Sequence, residues 1–90
     1  MHVALIALDR PNALEVRKAN REAHLAHVRA SGIVEQAGPF LNAAGEMIGS
    51  LLILNVPDMA AAEAFAADDP YAKADLFESV ALRPWNRVIG

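Results

Sequence analysis

Few side chains in this 90-residue chain suit proton transfer or covalent work. It has no Cys, which removes disulfides, thiolate metal sites and a Cys nucleophile. His24 is the first candidate. Imidazole has an unperturbed pKa near neutral pH, which fits it for general acid or base work. A lone, partly exposed helix His is more often idle, so it needs a partner. Asp69 is the second candidate. Standing before Pro70, it reads as a plain N-cap with Pro at the first helical position. The same carboxylate could instead accept from an imidazole N–H and fix its tautomer. Arg17 and Arg21, one helical turn apart, suit an anionic substrate, although a solvated basic face explains them more simply. His24 and His27 have chelating spacing, but no third ligand is evident, so no metal is expected. The chain has no Gly-rich phosphate loop, nucleophile elbow or Walker motif. No cofactor is expected.

The elements that must position these residues follow from patterning. Residues 3–8 (Val-Ala-Leu-Ile-Ala-Leu) are apolar on both alternating faces and close on Asp9-Arg10-Pro11-Asn12, a strand and a turn. Residues 13–31 lack Gly and Pro and predict a long helix, with Asn12 as N-cap and Gly32 as its stop. Residues 33–56 read as a hairpin. Its turn lies at Asn42 to Glu46, and its second strand runs from Met47 to Val56. Asp58 caps a second helix over 59–67, and Asp69-Pro70 restarts a short helical turn. Residues 76–83 form the last strand, and residues 84–88 a tail. The order β-α-β-β-α-β predicts a ferredoxin-like α+β fold: a four-stranded antiparallel sheet with two helices on one face.

That arrangement leaves the other sheet face bare. Residues 3–8 and 47–56 nevertheless carry apolar side chains on both sides, and a second copy packed on the bare face would cover them. A homodimer through the open sheet face is therefore expected. On the first helix, Leu14, Arg17, Arg21, His24, Leu25 and Val28 form one stripe, and Val16, Ala19, Ala23, Ala26 and Ala30 the other. Larger side chains gain more on burial, so the Leu stripe should face the sheet. Arg21 and His24 then sit at the edge of the buried face. His27 falls between the stripes and points away from Arg21 and Leu25, while His2 lies beside the chain end. This leaves His24 as the functional histidine. Phe77 and Trp85 read as core or dimer-interface anchors.

Composition bounds the rest. With 54% hydrophobic and 21% charged residues the chain folds, and 90 residues make one domain over 1–90. A net charge of −3 argues against nucleic-acid binding. No apolar run approaches a membrane span, and the start lacks the basic region of a signal peptide, so the expected location is cytoplasmic.

Arg21-Glu22-Ala23-His24-Leu25, Gly38-Pro39, Asp69-Pro70-Tyr71 with Ala74 and Phe77, then Val80 and Arg83-Pro84-Trp85 resemble the YciI-like (YCII-related) family of small bacterial proteins. The match runs over essentially the whole chain. The resemblance implies a ferredoxin-like fold pairing into a dimeric α/β barrel, and an active site built on His24 and Asp69. Arg21, Pro39 and Tyr71, each inside a matching motif, are the expected substrate-contacting residues. Family members often have Gly where this chain has Asp75, which adds a carboxylate near the expected site. Most of the family has no assigned reaction. One branch resembles dehydrochlorinases of chlorinated hydroxyquinones, but no residue here selects that chemistry.

The first hypothesis is a small cofactor-free enzyme acting on a small organic molecule by proton transfer, isomerisation or HX elimination. His24 is its acid/base, Asp69 orients it, and Arg21 holds an anionic oxygen. The second is a non-catalytic dimeric ligand-binding or accessory module. A monooxygenase on the same barrel is a third. A His24–Asp69 bond inside a concave pocket favours the first. His24 packed flat under an aromatic with no cavity favours the second.

Overall fold

A computed structural model describes residues Met1–Gly90 throughout. Strand β1 (His2–Asp9) is followed by helix α1 (Leu14–Ser31) and the hairpin β2 (Val34–Leu41) and β3 (Met47–Asn55). Helix α2 (Met59–Asp68), the short α3 (Pro70–Lys73) and strand β4 (Phe77–Trp85) complete the chain. All pairings are antiparallel and the strand order is β2-β3-β1-β4. This is the expected ferredoxin-like α+β sheet, and α3 adds a third helix packed against α1 and α2.

The core lies between the sheet and the helices. Val3, Leu5 and Ala7 of β1 stand opposite Leu54, Leu52 and Ser50 of β3. These side chains, with Val56, Ala62 and Phe65, are buried. Fully burying one Leu contributes roughly 1.5–3 kcal/mol, so this short central stretch dominates the stability of a small chain. Helix α1 turns its Leu stripe inward. Val28 packs on the core, Leu14 and Leu25 are half-buried, and the Ala stripe from Val16 to Ala30 is exposed. The second face behaves differently. Leu8 is 46% exposed, Leu51 37% and Trp85 40%, a band of large apolar side chains with nothing over it in the single chain.

Three local expectations are corrected. Asn12 does not cap α1. It adopts a left-handed φ of 59°, and Ala13 occupies the cap position with no side-chain bond. Asn tolerates this conformation, so it serves the turn after Pro11. Strand β4 runs on through Pro84 to Trp85 where a tail was expected. It lies at the sheet edge beside β1 only, so the N–H that Pro lacks leaves no ladder bond unmade. Asp75, with φ 58°, sits where a glycine would be at ease. Its carboxylate accepts from Arg10 at 2.7 Å out in solvent and does not line the cavity described below. The caps at Gly32 (φ 69°) and Asp58, which accepts from Ala61 N–H, are as expected.

Candidate active site

His24 lies halfway along α1, on the inward stripe, and is 6% exposed. Its Nδ1 faces the Asp69 carboxylate, 2.9 Å from one oxygen and 3.0 Å from the other. A carboxylate only accepts, so Nδ1 carries a proton and donates. Asp69 meets α1 because it ends α2 and starts α3. Its Oδ1 also accepts from the Tyr71 N–H at 2.9 Å, capping α3 with Pro70 in the first turn. The cap and the imidazole bond are made together by one buried carboxylate, so the two readings of Asp69 both hold.

The His24 ring stacks on Tyr71, with centroids 4.0 Å apart and planes at 11°. Tyr71 is held in turn by Phe77, edge to face at 5.9 Å, and by the Arg17 guanidinium 4.7 Å from its ring centre. The flat stacking does not seal the ring. Every fully buried side-chain polar atom has a hydrogen-bond partner. His24 Nε2 has none, so it reaches open space. That space is a cavity of about 130 Å³ between α1, β2, β3 and α3, lined by His24, Tyr71, Arg17, Arg21, Ser50 and a set of largely apolar neighbours. The apolar share comes from Leu25, Ala37, Pro39, Met47 and Leu52. Of the expected site residues, His24, Arg21, Pro39 and Tyr71 line this cavity, and Asp69 stands directly behind His24.

Arg17 is the residue that sequence reasoning placed wrongly. It is 3% exposed, with Nε and Nη2 donating to the two oxygens of Asp9 at 2.7 and 2.8 Å. Nη2 also donates to Ser50 Oγ at 2.9 Å. Burial alone would lower the Arg17 pKa, but the bonds and charge of Asp9 outweigh it and hold the guanidinium above its ordinary value. Asp9 and Ser50 were missed altogether. The signal was an arginine on the inward stripe, eight residues after an Asp that ends an apolar strand. Burial pushes the Tyr71 hydroxyl above the usual phenol range, with Arg17 and Arg21 pulling it partly back, so at neutral pH it is a donor. Arg21 is exposed at the cavity edge and pairs with no carboxylate.

His24 and His27 do not converge on a common point. His27 stacks on Phe65 at 4.5 Å, and its Nε2 donates to the Phe65 carbonyl at 3.1 Å near the end of α2. It joins α1 to α2, away from the cavity at His24. No group of three His, Cys, Asp or Glu side chains comes together anywhere in the fold.

Three comparisons bear on this arrangement. A model of the YCII-related domain matches residues 1–86. An uncharacterized protein of Haemophilus influenzae and protein YciI of Escherichia coli are each 34% identical to the chain, over 98% of it and 99% of their own length. Among solved structures, the 5-chloro-2-hydroxyhydroquinone dehydrochlorinase of Burkholderia phenoliruptrix, in complex with 2,5-dihydroxybenzoquinone, superposes with a TM-score of 0.90. It is 32% identical, over 96% of this chain and 94% of that one.

Proposed function

We propose, since the chain belongs to the YCII-related domain family, that it is a cofactor-free acid–base enzyme. Its substrate is a single-ring, oxygen-bearing molecule from which it removes HX. One observation carries the reading. Asp69 holds the Nδ1 edge of His24, and Nε2 is left without a partner in a small, mostly apolar cavity. The dehydrochlorinase at 32% identity supports the choice of elimination over other proton transfers.

The chemistry needs a substrate that presents H–O–C=C–CH–X, with X on a tetrahedral carbon. An aromatic chlorohydroquinone reaches this form as its keto tautomer, in which the proton of the hydroxyl beside C–X has moved to the carbon bearing X and that C–O has become C=O. Nε2 accepts the hydroxyl proton. The O–H electron pair becomes the carbonyl double bond, the C=C shifts by one position, and the C–X bond breaks as X leaves with its electron pair as halide. His24 ends as an imidazolium beside the Asp69 carboxylate, which stabilises the new charge. The Tyr71 hydroxyl and Arg21 supply donors for oxygen charge that develops on the ring. The apolar wall keeps water away, and so strengthens each of these interactions. Seating a second copy over Leu8, Leu51 and Trp85 makes the working unit a homodimer.

The test is chloride release from 5-chloro-2-hydroxyhydroquinone by wild type and His24→Asn. Wild type should turn it over, and His24→Asn should lose about a hundredfold to ten-thousandfold in kcat with its fold intact. Equal turnover by the two proteins overturns the reading. Binding without turnover by wild type would mark a ligand-binding module.

A further inference from the structure

We infer that Met47 sets the upper size limit of the substrate. This rests on the proposed reading of the cavity and deepens it. Two hollows lie on the helix side of the sheet. One is the roughly 130 Å³ cavity at His24. The other is a larger crevice of about 420 Å³ between the turn at Arg10 to Ala13, the first turn of α1, and the hairpin end from Asn42 to Ile48. Met47 is the only residue that lines both.

The partition between them has a fixed part and a soft part. The fixed part is the Asp9–Arg17 pair. Asp9 faces the crevice and Arg17 the cavity, and two hydrogen bonds of 2.7 and 2.8 Å lock them together. The soft part is Met47, half-buried at the first position of β3, where the register against β2 shifts between Phe40 and Leu41. An unbranched thioether with three rotatable bonds fills such an irregular gap, and it can be shortened without removing a charge or a hydrogen bond.

Size then follows from volume. An apolar cavity of about 150 Å³ accepts one benzene. The cavity at His24 is of that order, so it holds a single six-membered ring, with any substituents directed to its open mouth. Inward from the open mouth at Arg21, a second fused ring has to pass either the ion pair or Met47. Shortening Met47 opens the cavity into the crevice, while His24, Asp69, Tyr71 and Arg21 stay in place.

The experiment measures binding of 2,5-dihydroxybenzoquinone, a one-ring probe, and 2-hydroxy-1,4-naphthoquinone, a two-ring probe, by calorimetry. The proteins are wild type, Met47→Ala and the milder Met47→Val, each first checked for a cooperative thermal transition. Wild type should prefer the single ring. Both variants should shift the preference toward the double ring, Met47→Ala by at least about tenfold, the scale of a few methylenes in an apolar pocket. An unchanged preference in folded Met47→Ala or Met47→Val, or a wild type indifferent to ring number, overturns the inference and leaves the function standing. Failure of both probes to bind any of the proteins overturns the two together.

Discussion

The two faces of the sheet use the same central strands in opposite ways. The helix face buries Val3, Leu5, Leu52 and Leu54 and sets charged groups among them, each with a partner: Arg17 on Asp9, His24 on Asp69. The other face leaves Leu8, Leu51 and Trp85 in solvent. Its charges gather at one end, where Glu35 accepts from His2 at 2.7 Å, Arg87 at 2.8 Å and Asn55 at 3.4 Å. The chemistry of the two clusters is alike, carboxylate against imidazole and guanidinium. Burial separates them. Sealed charges must be paired, and they then fix geometry. Exposed ones are screened and fix little. On the proposed reading, catalysis belongs to the helix face and association to the other.

The sharpest way to break this contrast is to remove one arginine from each cluster. Arg17→Ala leaves Asp9 buried and unpaired, and should lower the unfolding free energy by about 3–5 kcal/mol in denaturant titration. Arg87→Ala should barely move the transition. Similar losses in the two would mean that the Arg17 pair is as well solvated as the exposed one. The second test addresses the apolar band. Sedimentation at micromolar concentration should give about 19 kDa, twice the 9.6 kDa chain, and Leu51→Glu should give a monomer whose fold survives. A wild-type monomer would leave the exposed face without a role.

A smaller effect sharpens the helix-face side. Asp69→Ala removes the α3 cap and should cost about 1 kcal/mol, whereas Asp69→Asn keeps a capping oxygen and most of the stability. Nitrogen NMR of the His24 ring separates the second role. Wild type should hold the proton on Nδ1, and Asp69→Asn should lose that fixed tautomer. A ring unchanged in Asp69→Asn would show that the carboxylate does not orient it. The smallest effect is on the other face. The His2 hydrogen bond holds the Glu35 carboxyl below its ordinary value, with Arg87 and Asn55 adding to it. A carboxylate lowered on folding stabilises above its unfolded pKa, and that contribution is lost as pH falls through the folded value. The stability difference between wild type and Glu35→Gln should therefore shrink as pH drops from about 5 to 3. A difference that grows would reverse the assigned sign.

The sheet, the inward stripe of α1 and the Asp69-Pro70 cap were legible because each rests on a local rule: alternation, a helical period, or a capping residue at a fixed offset. The His24–Asp69 pairing is not local. It spans 45 positions, and the family resemblance pointed to it more firmly than the wheel did. Arg17 was misread because a charge on a helix is ordinarily solvated. The stripe that buries it was visible, but its partner Asp9 sits across a turn whose course depends on Asn12 taking a left-handed φ. Residue type alone does not announce that choice, since Asn also caps helices. Met47 gave no signal at all. Its place between two hollows arises from how the hairpin end meets the start of α1.

Asp69 Oδ1 accepts from both His24 and the Tyr71 backbone, so a single atom carries the orientation of the imidazole and the local fold. The consequence is historical as much as chemical. If the proposed reaction is the chain's own, a descendant cannot leave it by losing that carboxylate alone, because most replacements also weaken the short helix that carries Tyr71. The replacements open to it are the few other residues that cap helices. Lineages that abandon the chemistry should therefore show Asn, Ser or Thr at this position far more often than Ala or Leu. Alternatively, they should keep the Asp long after His24 has gone.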